Sequence, residues 1–245
     1  MKVAFFGATR GIGRALARQM ALRGDDLCLL GRQREELERS CADLVARGSG
    51  KVTLVAGCDL LERKSFAPSL DEAMALLGSI DTIIVTAALF ADQDELEADE
   101  ERRDQLLVAD FVNTIHFCEA SRERLLANGG GSLCVFSSVA GERARKFIFL
   151  YGAAKAGLSY YLEGLDHRFR AQGLHTLCVK PGFVRTGMTA HLDPPPFAGE
   201  PDDVARTVLR ALDRRKPVVY APPIWSLVML LIRSLPRAVM RRIGF

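Results

Sequence analysis

The sequence predicts a single-domain α/β fold, a doubly wound parallel sheet followed by a C-terminal apolar and basic helical tail. Three observations predict this fold: short apolar runs alternate with helical patterns, the first run enters a glycine-rich turn, and neither a repeat nor a linker interrupts the alternation. This is the pattern of a Rossmann-type sheet, which binds its ligands at the carboxyl ends of the strands. We assign residues 1–221 to that domain and residues 222–245 to the tail.

Composition argues against several classes of protein. The formal net charge of +3 is small and dispersed, so nucleic acid is not expected as a partner. The six cysteines form no Cys-x-x-Cys pair, which favours buried free thiols in a reducing compartment over disulfides or a metal site. The N-terminal apolar run is too short for a signal peptide. We therefore expect a cytoplasmic protein without a metal centre.

The first predicted strand, residues 3–6, enters a glycine-rich turn that precedes an amphipathic helix. The turn reads Gly-x-x-x-Gly-x-Gly, with Gly7, Gly11 and Gly13 at the glycine positions. Glycines here allow a tight turn and a close approach to a pyrophosphate, which then lies at the positive end of the helix. The order of strand, turn and helix predicts a dinucleotide site.

The end of the second predicted strand, residues 27–30, bears on which dinucleotide is bound. An NAD site usually has a carboxylate there to bind the ribose 2′-hydroxyl. This chain has Arg32 just beyond the strand and Arg10 in the glycine turn, and two guanidiniums suit a 2′-phosphate. We expect NADP(H) as the preferred cofactor. NAD(H) is the alternative, in which both arginines are merely solvated.

The middle of the chain continues the alternation. The predicted strands are 52–56 and 82–86, and the predicted helices are 34–47, 62–77 and 103–127. Asp59 follows the third strand, where its carboxylate could bind the adenine amino group. Asn113 lies among apolar residues in the long helix, which leaves open a core hydrogen bond or a bend with a bound water. Eight acidic residues within 91–104 predict a solvated loop and helix start.

The stretch from Ser138 to Lys155 carries the candidate chemistry. A strand over residues 133–137 precedes Ser138, and a helical pattern begins near Leu150. Tyr151 and Lys155 are four residues apart and therefore share one helix face. An ammonium favours the phenolate and lowers the pKa of a tyrosine from about 10 toward neutral pH. Tyr151 would then exchange a proton with a C–OH/C=O pair, and Ser138 could hydrogen-bond the same oxygen.

The last part of the domain completes the sheet. The predicted helices are 150–171 and 202–214, and the predicted strands are 174–179 and 217–220. Pro181 and Gly182 stop the first of these strands at the carboxyl edge of the sheet. Residues 187–200, with three consecutive prolines, are expected to form a mobile substrate loop.

The tail combines apolar and basic residues. Residues 224–232 are densely apolar, but this run is well short of the roughly 20 residues that a transmembrane helix needs. Four arginines follow at 233, 237, 241 and 242. Such a segment suits attachment to the surface of a membrane that contains anionic lipid. Packing on the domain itself, or across a homo-oligomer, is the alternative.

Together these motifs resemble those of the short-chain dehydrogenase/reductase family, over about residues 1–220. The matching residues are the glycine turn, Asp59, Asn113, Ser138, Tyr151-x-x-x-Lys155 and Pro181-Gly182-x-Val184-x-Thr186. One motif departs, since the family's Asn-Asn-Ala-Gly after the fourth strand is Thr86-Ala87-Ala88-Leu89 here. That motif steadies the sheet near the cofactor, so its loss bears on fine geometry more than on chemistry.

A narrower resemblance is to the decaprenylphosphoryl-2-keto-ribose reductases, which act with an oxidase partner to epimerise a polyprenyl-phosphate-linked ribose to arabinose. The segments that carry it are 92–95, 137–143, 187–189 and the tail around Trp225 and Leu235-Pro236-Arg237. It implies NADPH-dependent reduction of a lipid-linked 2-keto-pentose. A reductase of another lipid ketone, such as a 3-keto-sphingoid base or a 3-oxoacyl chain, is the alternative, and a non-enzymatic dinucleotide sensor is a third interpretation. Arg143, Arg145 and Lys146 would meet a substrate phosphate or form a solvated loop.

The family resemblance implies hydride transfer from the nicotinamide C4 to a substrate carbonyl. Tyr151 would protonate the alkoxide, and Lys155 would lower the pKa of Tyr151 and hold the nicotinamide ribose. Ser138 would polarise the carbonyl, and Asn113 would position a water that relays protons through Lys155. The cofactor-lining residues that it implies are Gly7, Arg10, Gly11, Ile12, Gly13, Arg32, Asp59, Leu60, Ala87, Tyr151, Lys155, Pro181, Gly182, Val184 and Thr186.

Overall fold

A seven-stranded parallel sheet forms the centre of the protein in a computed structural model that describes residues 1–48 and 50–243. The strands are β1 (Lys2–Phe6), β2 (Asp26–Gly31), β3 (Val52–Ala56), β4 (Thr82–Val85), β5 (Gly131–Phe136), β6 (Leu174–Pro181) and β7 (Val218–Ala221). Their order across the sheet is β3-β2-β1-β4-β5-β6-β7, and every neighbouring pair is parallel. The strand order reverses between β1 and β4, where an open α/β sheet forms its ligand crevice. The predicted doubly wound fold is confirmed.

Helices cover both faces of the sheet. They are α1 (Gly11–Arg23), α2 (Arg34–Val45), α3 (Phe66–Leu77), α4 (Gln93–Ala98), α5 (Glu100–Leu107), α6 (Thr114–Ala127), α7 (Phe149–Phe169), α8 (Pro201–Asp213), α9 (Ile224–Ser234) and α10 (Arg237–Met240). Two apolar cores result, one between the sheet and α3, α6 and α7, the other between the sheet and α1, α2 and α8. Successive strand residues point to opposite faces, so Phe5 packs into one core and Phe6 into the other. Burial on both faces explains why the strands read as continuous apolar runs.

The acidic stretch 91–104 is helical, so the prediction of a solvated loop was wrong for most of it. Asp92 and Glu95 form a capping box at the start of α4, in which each side chain accepts a backbone hydrogen bond. Asp99 starts α5 by accepting a hydrogen bond from the Arg102 N–H at 3.0 Å. Acidic residues favour the first turn of a helix, where the backbone dipole is positive. The acidic residues of this stretch therefore start two helices.

The predicted long helix 103–127 is interrupted by a π-helical segment, Val108–Asn113, between α5 and α6. The extra residue in this turn directs both Asp110 and Asn113 into the protein, where both are buried. The Thr114 hydroxyl donates to the Ala109 carbonyl oxygen at 2.7 Å, inside the bend. A bend at Asn113 was one of the two predicted possibilities, and the structure contains it.

Two further segments bear on the predicted loop and tail. Within 187–200 the structure has a 3₁₀ turn, Gly187–Thr189, and a β-bridge between Val184 and Gly199; the mobility of this loop stays a prediction. The tail forms α9 and α10, and its last two residues, 244 and 245, lie outside the described residues. Across the described ranges, no helix has the length and apolarity to cross a membrane.

All six cysteines are free, and five of them are buried, as predicted.

Candidate active site

The candidate site lies in the crevice at the carboxyl ends of the strands, where the chain reverses direction from strand to helix. The glycine turn follows β1, residues 86–89 follow β4, Ser138 follows β5, and the Pro181–Thr186 segment follows β6. The sheet therefore brings the predicted cofactor and catalytic segments to one edge.

The glycine turn fits a dinucleotide pyrophosphate. Gly7 has a φ of +100°, and a Cβ at this position would overlap the Ala87 nitrogen. A Cβ at Gly13 would overlap the Gly7 carbonyl oxygen, so the turn closes only with glycine at both positions. Arg10 at the N-cap of α1 makes no side-chain cap, which leaves the N–H groups of the first turn available to an anion.

The segment that replaces the family's Asn-Asn-Ala-Gly is held by other groups. The Thr86 hydroxyl donates to the Gly7 carbonyl oxygen at 2.9 Å, which ties the end of β4 to the glycine turn. The Ala87 N–H donates to the Phe6 carbonyl oxygen at 3.2 Å. At the end of the segment, the Leu89 N–H donates to the Asp110 carboxylate at 2.6 Å. A threonine hydroxyl and a buried carboxylate thus steady the cofactor edge of the sheet.

The part of the crevice that is predicted to bind the adenosine of the dinucleotide contains two arginines, each beside a carboxylate. Arg32 Nη1 lies 4.0 Å from Asp59 Oδ2, and Arg10 is paired with Glu36. Arg10 also lines a cleft of about 390 Å³ between α1 and α2, together with three other arginines. Those arginines are Arg14, Arg18 and Arg39. This end of the crevice is therefore rich in guanidinium groups, but part of their charge is compensated by acidic neighbours.

Tyr151, Lys155 and Ser138 meet where β5 ends beside α7. The Lys155 ammonium lies 5.4 Å from the centre of the Tyr151 ring, and its side chain is only 2% exposed. Ser138 is buried, and its hydroxyl oxygen accepts the Ala140 N–H at 3.0 Å. The neighbouring Ser137 hydroxyl donates to the Lys155 carbonyl oxygen at 2.9 Å, which fixes α7 against the strand.

Asp110 is a site residue that the sequence analysis missed. Its carboxylate is fully buried, and Oδ2 lies 3.0 Å from the Lys155 ammonium nitrogen. A signal was present in the sequence, since a single acid stands among apolar residues three positions before Asn113. A buried charge requires a counter-ion, so such an acid should have been paired with the one lysine already placed in the site.

The charges around Tyr151 correct one prediction. Burial raises the pKa of the Tyr151 phenol, and Asp110 raises it further, while Lys155 and a hydrogen bond with Ser138 lower it; the net pKa lies above the ordinary value. The expected net shift toward neutral pH was therefore wrong in direction, because the surrounding protein and Asp110 outweigh the ammonium. Tyr151 is held as a neutral phenol, which is the form that donates a proton.

Lys155 is held in its charged form. Burial by itself lowers the pKa of Lys155, but Asp110 and Tyr151 raise it, and the net pKa is raised. Burial raises the pKa of Asp110 above its ordinary value, and Lys155 and the Leu89 N–H oppose this rise only in part. The two groups therefore depend on each other, because each favours the charged form of the other in a buried position.

Asn113 combines the two interpretations left open for it. It ends the π-helical bend, and its amide donates to the Leu60 carbonyl oxygen at 2.6 Å. Leu60 in turn follows Asp59, whose carboxylate accepts the Leu61 N–H at 3.0 Å. Asn113 therefore fixes the chain at the predicted adenine edge, and its role in a water relay stays a prediction.

The Pro181–Thr186 segment closes over the glycine turn. The Thr186 methyl group lies 3.4 Å from the position of a Cβ built on Gly11. Val184 is buried, and Gly182 is covered by the Trp225 ring of the tail, where no Cβ would fit. The predicted cofactor residues of β1 and β6 thus face one another across the crevice.

A second buried acid, Glu142, connects the site to the tail. It accepts hydrogen bonds from the Lys180 ammonium at 2.7 Å and the Tyr220 hydroxyl at 2.5 Å. Its other oxygen lies 3.8 Å from the Arg233 guanidinium of α9. The adjacent Arg143 donates to the Leu235 carbonyl oxygen at 2.6 Å, so it contacts the tail in this structure. This contact differs from both predicted roles of Arg143, a ligand of a substrate phosphate and a solvated side chain.

Comparison with known proteins agrees with this geometry. Residues 2–196 match the family model described as short chain dehydrogenase. An uncharacterised oxidoreductase of Mycobacterium tuberculosis is 34% identical over 242 residues, which cover 98% of this chain and 96% of that protein. Carbonyl reductase family member 4 of Xenopus laevis is 28% identical, with 86% of this chain and 90% of that protein covered. A short-chain type dehydrogenase/reductase structure from Mycobacterium ulcerans, 20% identical, superimposes with a TM-score of 0.81 over 89% of this chain and 86% of that one.

Proposed function

The chain belongs to the short-chain dehydrogenase family and is an NAD(P)-dependent oxidoreductase, and we propose that it reduces a lipid-linked ketone with NADPH. The observation that carries the proposal is the Lys155 ammonium, buried and paired with Asp110, 5.4 Å from the centre of the Tyr151 ring at the edge of a glycine-lined crevice. A phenol that stays protonated suits reduction, because reduction of a carbonyl consumes a proton.

Each residue of the crevice has a separate role in this proposed reaction. The dinucleotide, when bound, supplies the hydride. Tyr151 donates its proton to the carbonyl oxygen as negative charge develops there. Ser138 already accepts the Ala140 N–H at its oxygen, so its own proton is available for the same carbonyl oxygen. Lys155 lies next to the Tyr151 ring and stabilises the phenolate that remains after the transfer.

The preference for NADPH is supported by the guanidinium groups at the adenosine end. Arg32 and Arg10 are exposed, and neither the carboxyl end of β2 nor the residue that follows it offers a carboxylate for a ribose hydroxyl. Asp59 and Glu36 compensate part of the charge in this structure. A 2′-phosphate would compete for the same donors, because guanidinium binds phosphate in a bidentate geometry.

A lipid-linked substrate is supported by the apolar surroundings of the crevice. Phe147 and Phe149 precede Tyr151 and are 62% and 44% exposed, and Phe197 in the predicted substrate loop is 59% exposed. Exposed aromatic side chains around a site indicate an apolar ligand or partner. The narrower resemblance to the keto-ribose reductases also supports a substrate carried on a polyprenyl phosphate, and one relative is named a carbonyl reductase.

Turnover of a panel of ketones by the purified full chain tests this proposal. The panel pairs a polyprenyl-phosphate 2-keto-pentose, a 3-keto-sphingoid base and a 3-oxoacyl chain with short water-soluble ketones, each with NADPH and with NADH. We expect NADPH oxidation with at least one lipid-linked ketone, at a kcat/KM roughly tenfold or more above its short analogue. Equal values would contradict the lipid part of the proposal. Absence of turnover with every ketone would contradict the reductase itself.

A further inference from the structure

The outward face of α9 is an apolar surface that the rest of the described chain leaves uncovered. Trp225 and Met229 are buried on the inner face of this helix. On the outer face, Leu227, Leu230 and Leu231 are 54%, 57% and 61% exposed. One helix thus has apolar residues on both faces, although a helix on the surface of a soluble domain normally needs only one.

The inner face fixes how this helix sits on the domain. Trp225 covers Gly182 and packs with Val139, and its indole N–H donates to the Phe197 carbonyl oxygen at 3.2 Å. At the other end of α9, Arg143 holds the Leu235 carbonyl oxygen. The outward leucines therefore cannot turn into the domain without breaking these contacts, and their exposure requires another explanation.

The charge of the same segment indicates what covers the leucines. Residues 222–245 contain four arginines and no acidic residue. The formal side-chain charge of this segment, +4, therefore exceeds the formal net charge of +3 of the whole chain. Arg237, Arg241 and Arg242 are exposed. A second copy docked through the same face offers these arginines no acidic partner from its own tail, because the tail contains none. An anionic bilayer satisfies both the apolar face and the arginines.

We propose that the outward face of α9, with the arginines that follow it, docks on an anionic membrane surface. The inner face of the same helix touches Val139, next to Ser138, and Phe183, next to Gly182. Docking would therefore place the active-site crevice beside the lipid phase. The docking itself does not depend on the proposed reaction, because it follows from the surface alone.

Flotation of the full chain with vesicles tests the docking surface. We expect flotation with phosphatidylcholine vesicles that contain phosphatidylglycerol, little flotation with pure phosphatidylcholine, and release by salt. A variant with Leu227→Gln, Leu230→Gln and Leu231→Gln should lose roughly tenfold or more in vesicle affinity. The control is Leu22→Gln, since Leu22 on α1 is 65% exposed and lies outside the tail.

Three outcomes would overturn the proposal. They are no flotation of the full chain with anionic vesicles, unchanged flotation of the triple variant, and an equal loss in Leu22→Gln. Sedimentation of the same proteins separates lipid from a second copy. If the triple variant converts a dimer to a monomer while vesicle binding is unchanged, the face belongs to a second copy of this chain.

A separate observation concerns Asp110, and the inference from it rests on the proposed function. We infer that Asp110 is a positioning residue, which keeps Lys155 charged and fixed beside Tyr151. One of its carboxylate oxygens accepts a hydrogen bond from the Leu89 N–H at 2.6 Å. The other forms an ion pair with the Lys155 ammonium at 3.0 Å. Asp110 thereby ties the end of β4 to the catalytic helix.

The environment of Lys155 explains why a counter-ion is needed. The titratable groups that act on it are Asp110 from the π-helical segment, Tyr151 from its own helix and Cys178 from β6. Among these, Asp110 is the one that forms an ion pair with it. Without this carboxylate, a buried ammonium has no nearby anion, and burial favours the neutral amine. Loss of the charge would remove the stabilisation of the Tyr151 phenolate.

Asp110→Asn tests this role, with Asp104→Asn as the matched control on exposed α5. We expect the reduction rate of Asp110→Asn to fall about tenfold or more, and to fall further as pH rises, because Lys155 then loses its proton at lower pH. NADPH affinity, followed by fluorescence, should acquire the same pH dependence. Asp104→Asn should match the wild type in both measurements. A uniform loss of rate with a wild-type pH profile would reduce Asp110 to a structural role and overturn the inference.

A double variant keeps the test valid if Asp110→Asn is unstable. We expect Asp110→Asn with Lys155→Met to unfold at a higher temperature than Asp110→Asn alone, because no buried charge is then left unpaired. Equal unfolding temperatures would contradict the pairing. If the wild type reduces no ketone, the proposed function fails, while NADPH binding and unfolding still decide the role of Asp110.

Discussion

At the scale of single residues, the surroundings of Tyr151 set the pH range over which its phenol stays protonated. Burial is the largest influence on the pKa of this partly buried phenol and raises it, Lys155 lowers it by less, and Asp110 adds a smaller rise. A Tyr-x-x-x-Lys pair in a sequence shows only how the lysine changes the pKa of the tyrosine. Burial in the folded site, together with the counter-ion of that lysine from a distant part of the chain, moves the balance toward the neutral phenol.

The pH dependence of the two directions should therefore differ. Tyr151 donates a proton only while it is protonated, and its raised pKa extends that range upward. We expect the reduction rate to stay level from neutral pH to the ordinary phenol value of about 10, and to fall above it. Alcohol oxidation needs the deprotonated phenol and should rise over the same range. Rates of both directions against pH check this, and a reductive rate that falls between about pH 6 and 8 would contradict it.

Arg32 provides a test of cofactor choice at the same scale. Arg32→Asp should raise the Kd for NADPH by about tenfold to a hundredfold, since a charge-assisted hydrogen bond to the 2′-phosphate is lost. The Kd for NADH should change by less than about threefold, because NADH has no such phosphate. Fluorescence titration of both dinucleotides gives these values. Arg214→Asp, an exposed site remote from the crevice, controls for the change in net charge. Equal effects of Arg32→Asp on both cofactors would refute the role.

At the scale of elements, the contact between the π-helical segment and α7 holds the candidate catalytic groups together. Phe111 packs so closely on α7 that a Cβ at Gly157 would lie 2.6 Å from its ring. Gly157 thus permits the approach that brings Asp110 to Lys155. The π-helical turn supplies the other half of this arrangement, because its extra residue turns Asp110 and Asn113 inward.

Gly157→Ala should disturb this contact, and Gly164→Ala on the same helix is the control. Gly164 has open space around it, so alanine there should stabilise by about 0.5–1 kcal/mol through helix propensity. At Gly157 the same gain is opposed by overpacking against Phe111, which costs about 1–3 kcal/mol. Urea unfolding should show Gly157→Ala below Gly164→Ala in stability, with a reduced turnover. Equal stabilities would show that α7 does not depend on the close approach.

The elements also show what the sequence predicts and what it does not. Apolar runs predicted each strand to within about two residues, because burial on both faces leaves a local signature. The acidic stretch 91–104 was predicted to be a solvated loop and helix start, although Asp92 and Asp99 cap two helices that a charge count does not reveal. The π-helical turn and the Asp110 pair depend on contacts between distant segments. No periodicity within the segment itself encodes them.

At the scale of the whole molecule, the crevice and the tail form one connected system. Glu142, four residues after Ser138, binds Lys180 and Tyr220 and faces Arg233 of α9. Trp225 of the same helix covers Gly182 at the predicted cofactor edge. The tail therefore packs directly on segments that contain the predicted site residues. A membrane that binds its outer face would act next to the crevice.

The account as a whole depends on proton donation from Tyr151 to a ketone oxygen. Its most direct test is the turnover of Tyr151→Phe with NADPH and the best ketone of the panel, compared with wild type, alongside the Kd for NADPH. We expect turnover to fall by at least about two powers of ten, while the Kd stays within about threefold, because only the donated proton is lost. Turnover at the wild-type rate in Tyr151→Phe would contradict the account.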